Sequence, residues 1–152
     1  MKEATAAAFL ISSAYLPQAF AQQAPSDVDL RAAYCLPIVN QQVAVYQNAL
    51  SSPGHPLPAQ LEQMIKNMAA DAQGRADHLK RYLQRRIADL DATALLAAAE
   101  QGKQDLQRGA QDVIQCMSSC QNDTNPAACT SSCSTDTLAR VRRCTNLDWL
   151  PP

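Results

Sequence analysis

Glycine is scarce in this chain, with four in 152 residues, and aromatic side chains make up only 5% of it. Scarce glycine beside abundant Ala, Gln and Leu argues against a turn-rich β fold. Apolar spacings of three and four recur instead, and no strand-like alternation persists. The chain reads as all-α. Few aromatics and a net charge of -1 argue against a nucleic-acid clamp, which needs a dominant basic stripe with stacking rings. No Gly-x-Ser-x-Gly or Ser/Lys signature marks a nucleophile, no Cys-x2-Cys opens a helix for redox catalysis, and no Cys-x2-Cys-His offers haem attachment. Of the two histidines, His55 lies in a Pro-rich loop. His78 has no second His or Cys at a chelating spacing of three or four residues. Met64 and Met68 share a face but sit about 15 Å or more along the helix from His78, so they read as core filler. The pairs Asp89/Asp91 and Glu100/Asp105 are ordinary on exposed helix surfaces. No residue is therefore assigned a catalytic, cofactor-binding or metal-binding role.

Long apolar runs are missing too. Ala4 to Leu16 is shorter than the roughly 20 residues a membrane span needs, and it stops at Pro17. Ala19-Phe20-Ala21 then supplies the small-x-small pattern of a signal peptidase site, although Glu3 offsets the basic Lys2. The expectation is a signal peptide over 1–21 and a single helical domain over 22–152, periplasmic or secreted. No Cys follows the cleavage site, so no lipid anchor is expected there.

Four helices are predicted, near 27–50, 58–89, 93–121 and 126–144, with a tail over 145–152. Ser26 serves as the first N-cap, with Asp27 and Asp29 as an acidic first turn. Val28, Ala32, Cys35, Val39, Val43, Tyr46 and Leu50 trace one buried face. Pro37 either kinks this helix or starts it. The loop Ser51 to Pro58 leads to a second helix with core face Leu61, Ile65, Met68, Ala72, Ala76, Leu79, Leu83, Ile87 and Leu90. Its cluster Lys80, Arg81, Arg85 and Arg86 reads as a solvated face with local partners Asp77 and Asp89. A turn near 89–93 is required because an unbroken helix from Pro58 to Cys120 would be about 95 Å long. The third helix repeats Leu95, Ala99, Gly102, Leu106, Gly109, Val113, Cys116 and Cys120 at steps of four and three. Its small residues allow a neighbouring helix close approach. Asn125 caps the fourth helix, Pro126 begins it, and Trp149 in the tail anchors back on the bundle.

Six cysteines in an exported domain read as three disulfides with 15 possible connectivities. Helical geometry prunes them. Cys116/Cys120 and Cys129/Cys133 are Cys-x3-Cys pairs flanking a turn, so an antiparallel hairpin sets Cys120 opposite Cys129 and Cys116 opposite Cys133. By exclusion Cys35 joins Cys144, a long closure worth about 4 to 5 kcal/mol in the chain-entropy treatment. Residues 116 to 133 resemble the twin Cys-x3-Cys hairpins of small mitochondrial intermembrane-space proteins. The resemblance covers that hairpin alone, with a shorter interval between the pairs, and carries no function across.

The fold expected is thus a disulfide-stapled bundle of about four helices. Its expected role is non-enzymatic, binding or scaffolding another envelope or secreted protein in a bacterial periplasm, without nucleic acid or a membrane span. One alternative is Cu or Zn binding, or redox handling, by the Cys hairpin. Another is a small hydrolase, whose mark would be a concave pocket with two convergent carboxylates or a histidine.

Overall fold

A computed structural model describes residues 22–52, 57–133, 139 and 142–151. The expected signal peptide, the middle of the Pro-rich loop and much of the stretch between Cys133 and Cys144 lie outside these residues. The order is α1 (Asp27–Ser51), α2 (Ala59–Arg86), α3 (Ala92–Ser119), a 3-10 turn (Cys120–Asn122) and α4 (Pro126–Ser132). The chain is an all-α bundle.

Helix α1 starts where its cap dictates. The Ser26 hydroxyl accepts from the Asp29 N–H at 3.2 Å, and the Asp29 carboxylate accepts from the Ser26 N–H at 2.9 Å, closing a capping box. The helix runs through Pro37 and does not begin there. Ala32, Cys35, Val39 and Val43 are buried, as their spacing requires, with Val28, Tyr46 and Leu50 half-buried. Ala33 and Ile38 are buried as well. Burial on more than one side follows from the helix's position, because α1 packs along both α2 and α3.

Helix α2 departs from its predicted face. Ile65, Ala72, Ala76, Leu79 and Tyr82 are buried, whereas Leu61 and Ile87 are exposed. Tyr82 takes an inward position that a purely apolar reading passes over. The helix ends at Arg86, and Leu90 is buried in the following turn. No glycine or proline makes that turn. The Asp91 carboxylate caps α3 by accepting from the Thr93 N–H at 2.9 Å. The backbone of Gln23 closes over the turn, donating to the Asp89 carbonyl at 2.9 Å and accepting from the Asp91 N–H at 3.1 Å.

Helix α3 lies so near α1 that a Cβ at Gly102 would collide with the Tyr34 carbonyl oxygen and stand 3.3 Å from Pro37 Cγ. The small residue in the seam is there for the backbone behind it. Farther along α3, Gly109 and the adjoining Cys120 are also buried. Across the same interface the Tyr34 hydroxyl donates to Asp105 at 3.1 Å.

Helix α4 is shorter than predicted. Thr130, Ser131 and Ser132 turn their hydroxyls back onto the carbonyls of Pro126, Ala128 and Cys129, each at 2.7 Å, and Cys133 ends the helix. Hydroxyls that compete for helical carbonyls weaken the helix they sit in. Arg142 to Thr145 make a further helical turn. The tail then folds onto the bundle, with Leu150 buried and Trp149 half-buried beneath the Arg31 guanidinium, 4.2 Å from the ring centroid.

Candidate functional site

The cysteines form two separate structures. Cys35 and Cys144 lie at disulfide distance with Cα atoms 5.2 Å apart, both fully enclosed by the main core beside Val39, Leu79 and Leu150. Cys116 with Cys133, and Cys120 with Cys129, also lie at disulfide distance, with Cα separations of 5.6 Å. The two rungs are stacked so that Cys120 Sγ is 3.6 Å from Cys133 Sγ.

Local chemistry builds the hairpin. Asp123 accepts from the Asn125 N–H at 2.8 Å, Asn125 accepts from the Ala128 N–H at 3.3 Å, and Pro126 occupies the first turn, where its missing donor does no harm. Yet α4 contains no buried residue and packs chiefly on α3 and the 3-10 turn. It meets the rest of the chain through two cysteine pairs at disulfide distance and not through a core. Ile114 and Met117 stand exposed on the adjoining flank of α3, at 65% and 46%.

The second feature is Asp29, with no accessible surface. Beyond Ser26, its carboxylate accepts from the Tyr82 hydroxyl at 2.9 Å, from Arg86 Nε at 3.2 Å and from Arg86 Nη2 at 3.4 Å. Burial alone would push this carboxyl up, but the donors from Arg86, Ser26 and Tyr82 outweigh it and hold the carboxyl well below the usual carboxylate range. Burial and the neighbouring carboxylate push the Tyr82 phenol up, and the ion pair does the same to the Arg86 guanidinium. The carboxylate, the Tyr82 hydroxyl and Arg86 Nε and Nη2 are engaged with one another, and the node joins α1 to α2. Arg86 belongs to the basic cluster read as a solvated face, and its partner lies 57 residues away, not within its own helix. The Ser-x-x-Asp spacing marks the cap, and nothing local marks the tyrosine and arginine that complete the node.

A shallow polar depression between α2 and the tail includes Asp71, Arg75, His78 and Asp148. These are the residue types a hydrolase would need. Asp71 is engaged by Arg75, however, and among the described residues no hydrogen bond links His78 to either carboxylate. Among the described residues the group of potential metal ligands that does converge is Cys116, Cys120 and Cys133, with sulfurs within 4.8 Å of one another.

The third feature is an apolar groove of about 240 Å³, lined by Leu36 of α1, Leu83 of α2, Ile87 just past its end, and Leu95 and Leu96 of α3. No helix of the described residues is long and apolar enough to cross a membrane. No protein-family model, curated protein or solved structure matches the chain.

Proposed function

We propose that the chain is an exported, non-enzymatic helical protein of the bacterial periplasm that binds another envelope or secreted protein through its stapled hairpin. The observation that carries this reading is α4, a helix without a buried residue held by two sulfur rungs. A seven-residue helix does not persist in water by itself. Cross-linking it fixes the shape of a surface in advance, and a pre-shaped surface loses less freedom on association. Ile114 and Met117 supply exposed apolar anchors beside it. Six cysteines drawn into three bonding pairs, together with the Ala-x-Ala leader, support an oxidising compartment.

The test is affinity capture from an envelope fraction with the wild-type chain and with Ile114→Asp/Met117→Asp, two exposed changes that leave the core intact. A partner retained by the wild type and lost by the variant supports the reading. Identical captures from both, or none across several growth conditions, count against it.

The convergence of three sulfurs favours one other reading, a soft-metal site in the reduced hairpin. Thiol titration of protein from its native compartment separates the two. No free thiol excludes a thiolate cage, and four free thiols establish the ligands it needs.

A further inference from the structure

The three cysteine pairs differ in what a reagent can reach. Cys35 and Cys144 are 1% and 0% exposed, enclosed beside Val39, Leu79 and Leu150. In the hairpin Cys116, Cys129 and Cys133 are half-buried, and Cys120 is shut in at 1%. A disulfide opens when a thiolate attacks one of its two sulfurs, so access decides whether a bond opens and at which end. The core pair is reached only when the bundle itself opens. The Cys120–Cys129 pair presents one end to a nucleophile and hides the other.

What the hairpin pairs hold is separable from the rest of the fold. Helix α4 has seven residues, none of them buried, and Thr130, Ser131 and Ser132 donate to its own carbonyls. Without cross-links such a helix does not persist in water. None of the four hairpin cysteines belongs to either buried apolar cluster, whereas Cys35 and Cys144 belong to the main one. Opening the hairpin therefore leaves the packing of α1 against α2 and α3 in place.

We propose that the hairpin is a redox switch, opened by a dithiol that enters at Cys129 while the Cys35–Cys144 bond keeps the bundle closed. This rests on the three pairings and the oxidising compartment of the reading above, and on no particular partner. One thiolate of the dithiol bonds to Cys129 Sγ, and the bond from Cys129 to Cys120 breaks with its electron pair on Cys120, which takes up a proton. The second thiol, as thiolate, attacks the dithiol sulfur held by Cys129, closing a cyclic disulfide and releasing Cys129 to be protonated. Two electrons pass to the pair, the dithiol is oxidised, and its two protons end on Cys120 and Cys129. A second dithiol opens Cys116–Cys133 by the same steps. The four-thiol form loses α4, and reoxidation restores it.

The test starts from full-length protein isolated without reductant, treated with dithiothreitol, alkylated at intervals and mapped. The four hairpin cysteines are expected to become labelled at least about tenfold faster than Cys35 and Cys144. Amide exchange in α4 should become fast in the four-thiol form while that of the buried stretch of α1 stays slow, and removing dithiothreitol in air should return the original pairs. The point of entry is read in Cys116→Ser/Cys133→Ser, which keeps one hairpin pair, using a thioredoxin whose second active-site cysteine is serine. The trapped mixed disulfide should sit on Cys129. Reduction of Cys35–Cys144 in step with the hairpin, slow α4 exchange in the four-thiol form, or an adduct on Cys120 would overturn the proposal while leaving the pairings intact. Hairpin thiols already free in the isolated protein would overturn the pairings and the switch together.

Discussion

Replacing Asp29 by Asn keeps the shape of the side chain and removes its charge. The carboxylate accepts five hydrogen bonds: two from Ser26, one from Tyr82 and two from Arg86. An amide keeps one oxygen and turns an NH2 group toward donors, so either the cap or the tyrosine loses its acceptor. A lost N-cap interaction costs about 1 kcal/mol. A buried hydroxyl without a partner costs about 1 to 3 kcal/mol. The Arg86 side chain is 39% exposed and regains water, so its loss adds little. The expected destabilisation is about 1 to 3 kcal/mol, and Tm should fall by about 3 to 10 °C. Urea unfolding followed by circular dichroism measures it.

The pH dependence gives an independent reading of the same node. Because the folded carboxyl is held below its unfolded value, its contribution is complete above about pH 5 and is lost as pH falls toward and through the folded value. Wild type should lose stability steeply between about pH 5 and pH 2, and Asp29→Asn should show a shallower slope. Arg86→Met removes the leading hydrogen-bond donor while the carboxylate stays buried, so its folded carboxyl moves up toward the unfolded value and its loss of stability in acid should be shallower than in wild type. Equal urea midpoints for wild type and Asp29→Asn at pH 7, or parallel slopes in acid, would refute the node as a determinant of the fold.

The two glycines of known surroundings should respond to alanine with opposite sign. Gly102→Ala forces α1 and α3 apart at Tyr34 and should destabilise by about 1 to 3 kcal/mol. Gly74→Ala meets open space and should stabilise by up to about 1 kcal/mol; urea midpoints compare both. Opening Cys35 and Cys144 to serine releases a closure of 109 residues and should cost about 4 to 5 kcal/mol, read as a lower midpoint under non-reducing conditions. Serine at both Cys120 and Cys129 opens a closure of 9 residues and should lower that midpoint by less, about 2 to 3 kcal/mol in the same treatment, while amide exchange in Pro126–Ser132 becomes fast.

The residues that were legible in the sequence share one property: their partners are set by helical period. Val39 and Cys35 on α1 repeat at steps that leave one solution. Gly102 stands in register with Leu95 and Gly109, so a seam of small residues announced close approach before any neighbour was known. Asp29 is legible as a first-turn acid because that role is local, whereas Tyr82 and Arg86 reach it from 53 and 57 residues away. Leu61 and Ile87 fit the period of α2 yet are exposed, since the path of α1 across α2, which no local pattern encodes, decides which stretch of a stripe is covered. The early end of α4 follows from three consecutive hydroxyl residues, Thr130 to Ser132, a signal present in the sequence but outweighed there by the spacing of the cysteines. The apolar groove was not legible at all. It needs Leu36, Leu83 and Leu96 from three helices, and only packing brings them together.

The pairing of the six sulfurs in native material remains the most direct measurement. Peptide mapping without reductant, on protein taken from the compartment where it resides and alkylated at once, should yield Cys116 joined to Cys133, Cys120 to Cys129 and Cys35 to Cys144, with no alkylated cysteine. Free thiols at the four hairpin positions, or Cys116 joined to Cys120 within its own helix, would contradict a stapled hairpin and the protein-binding role built on it.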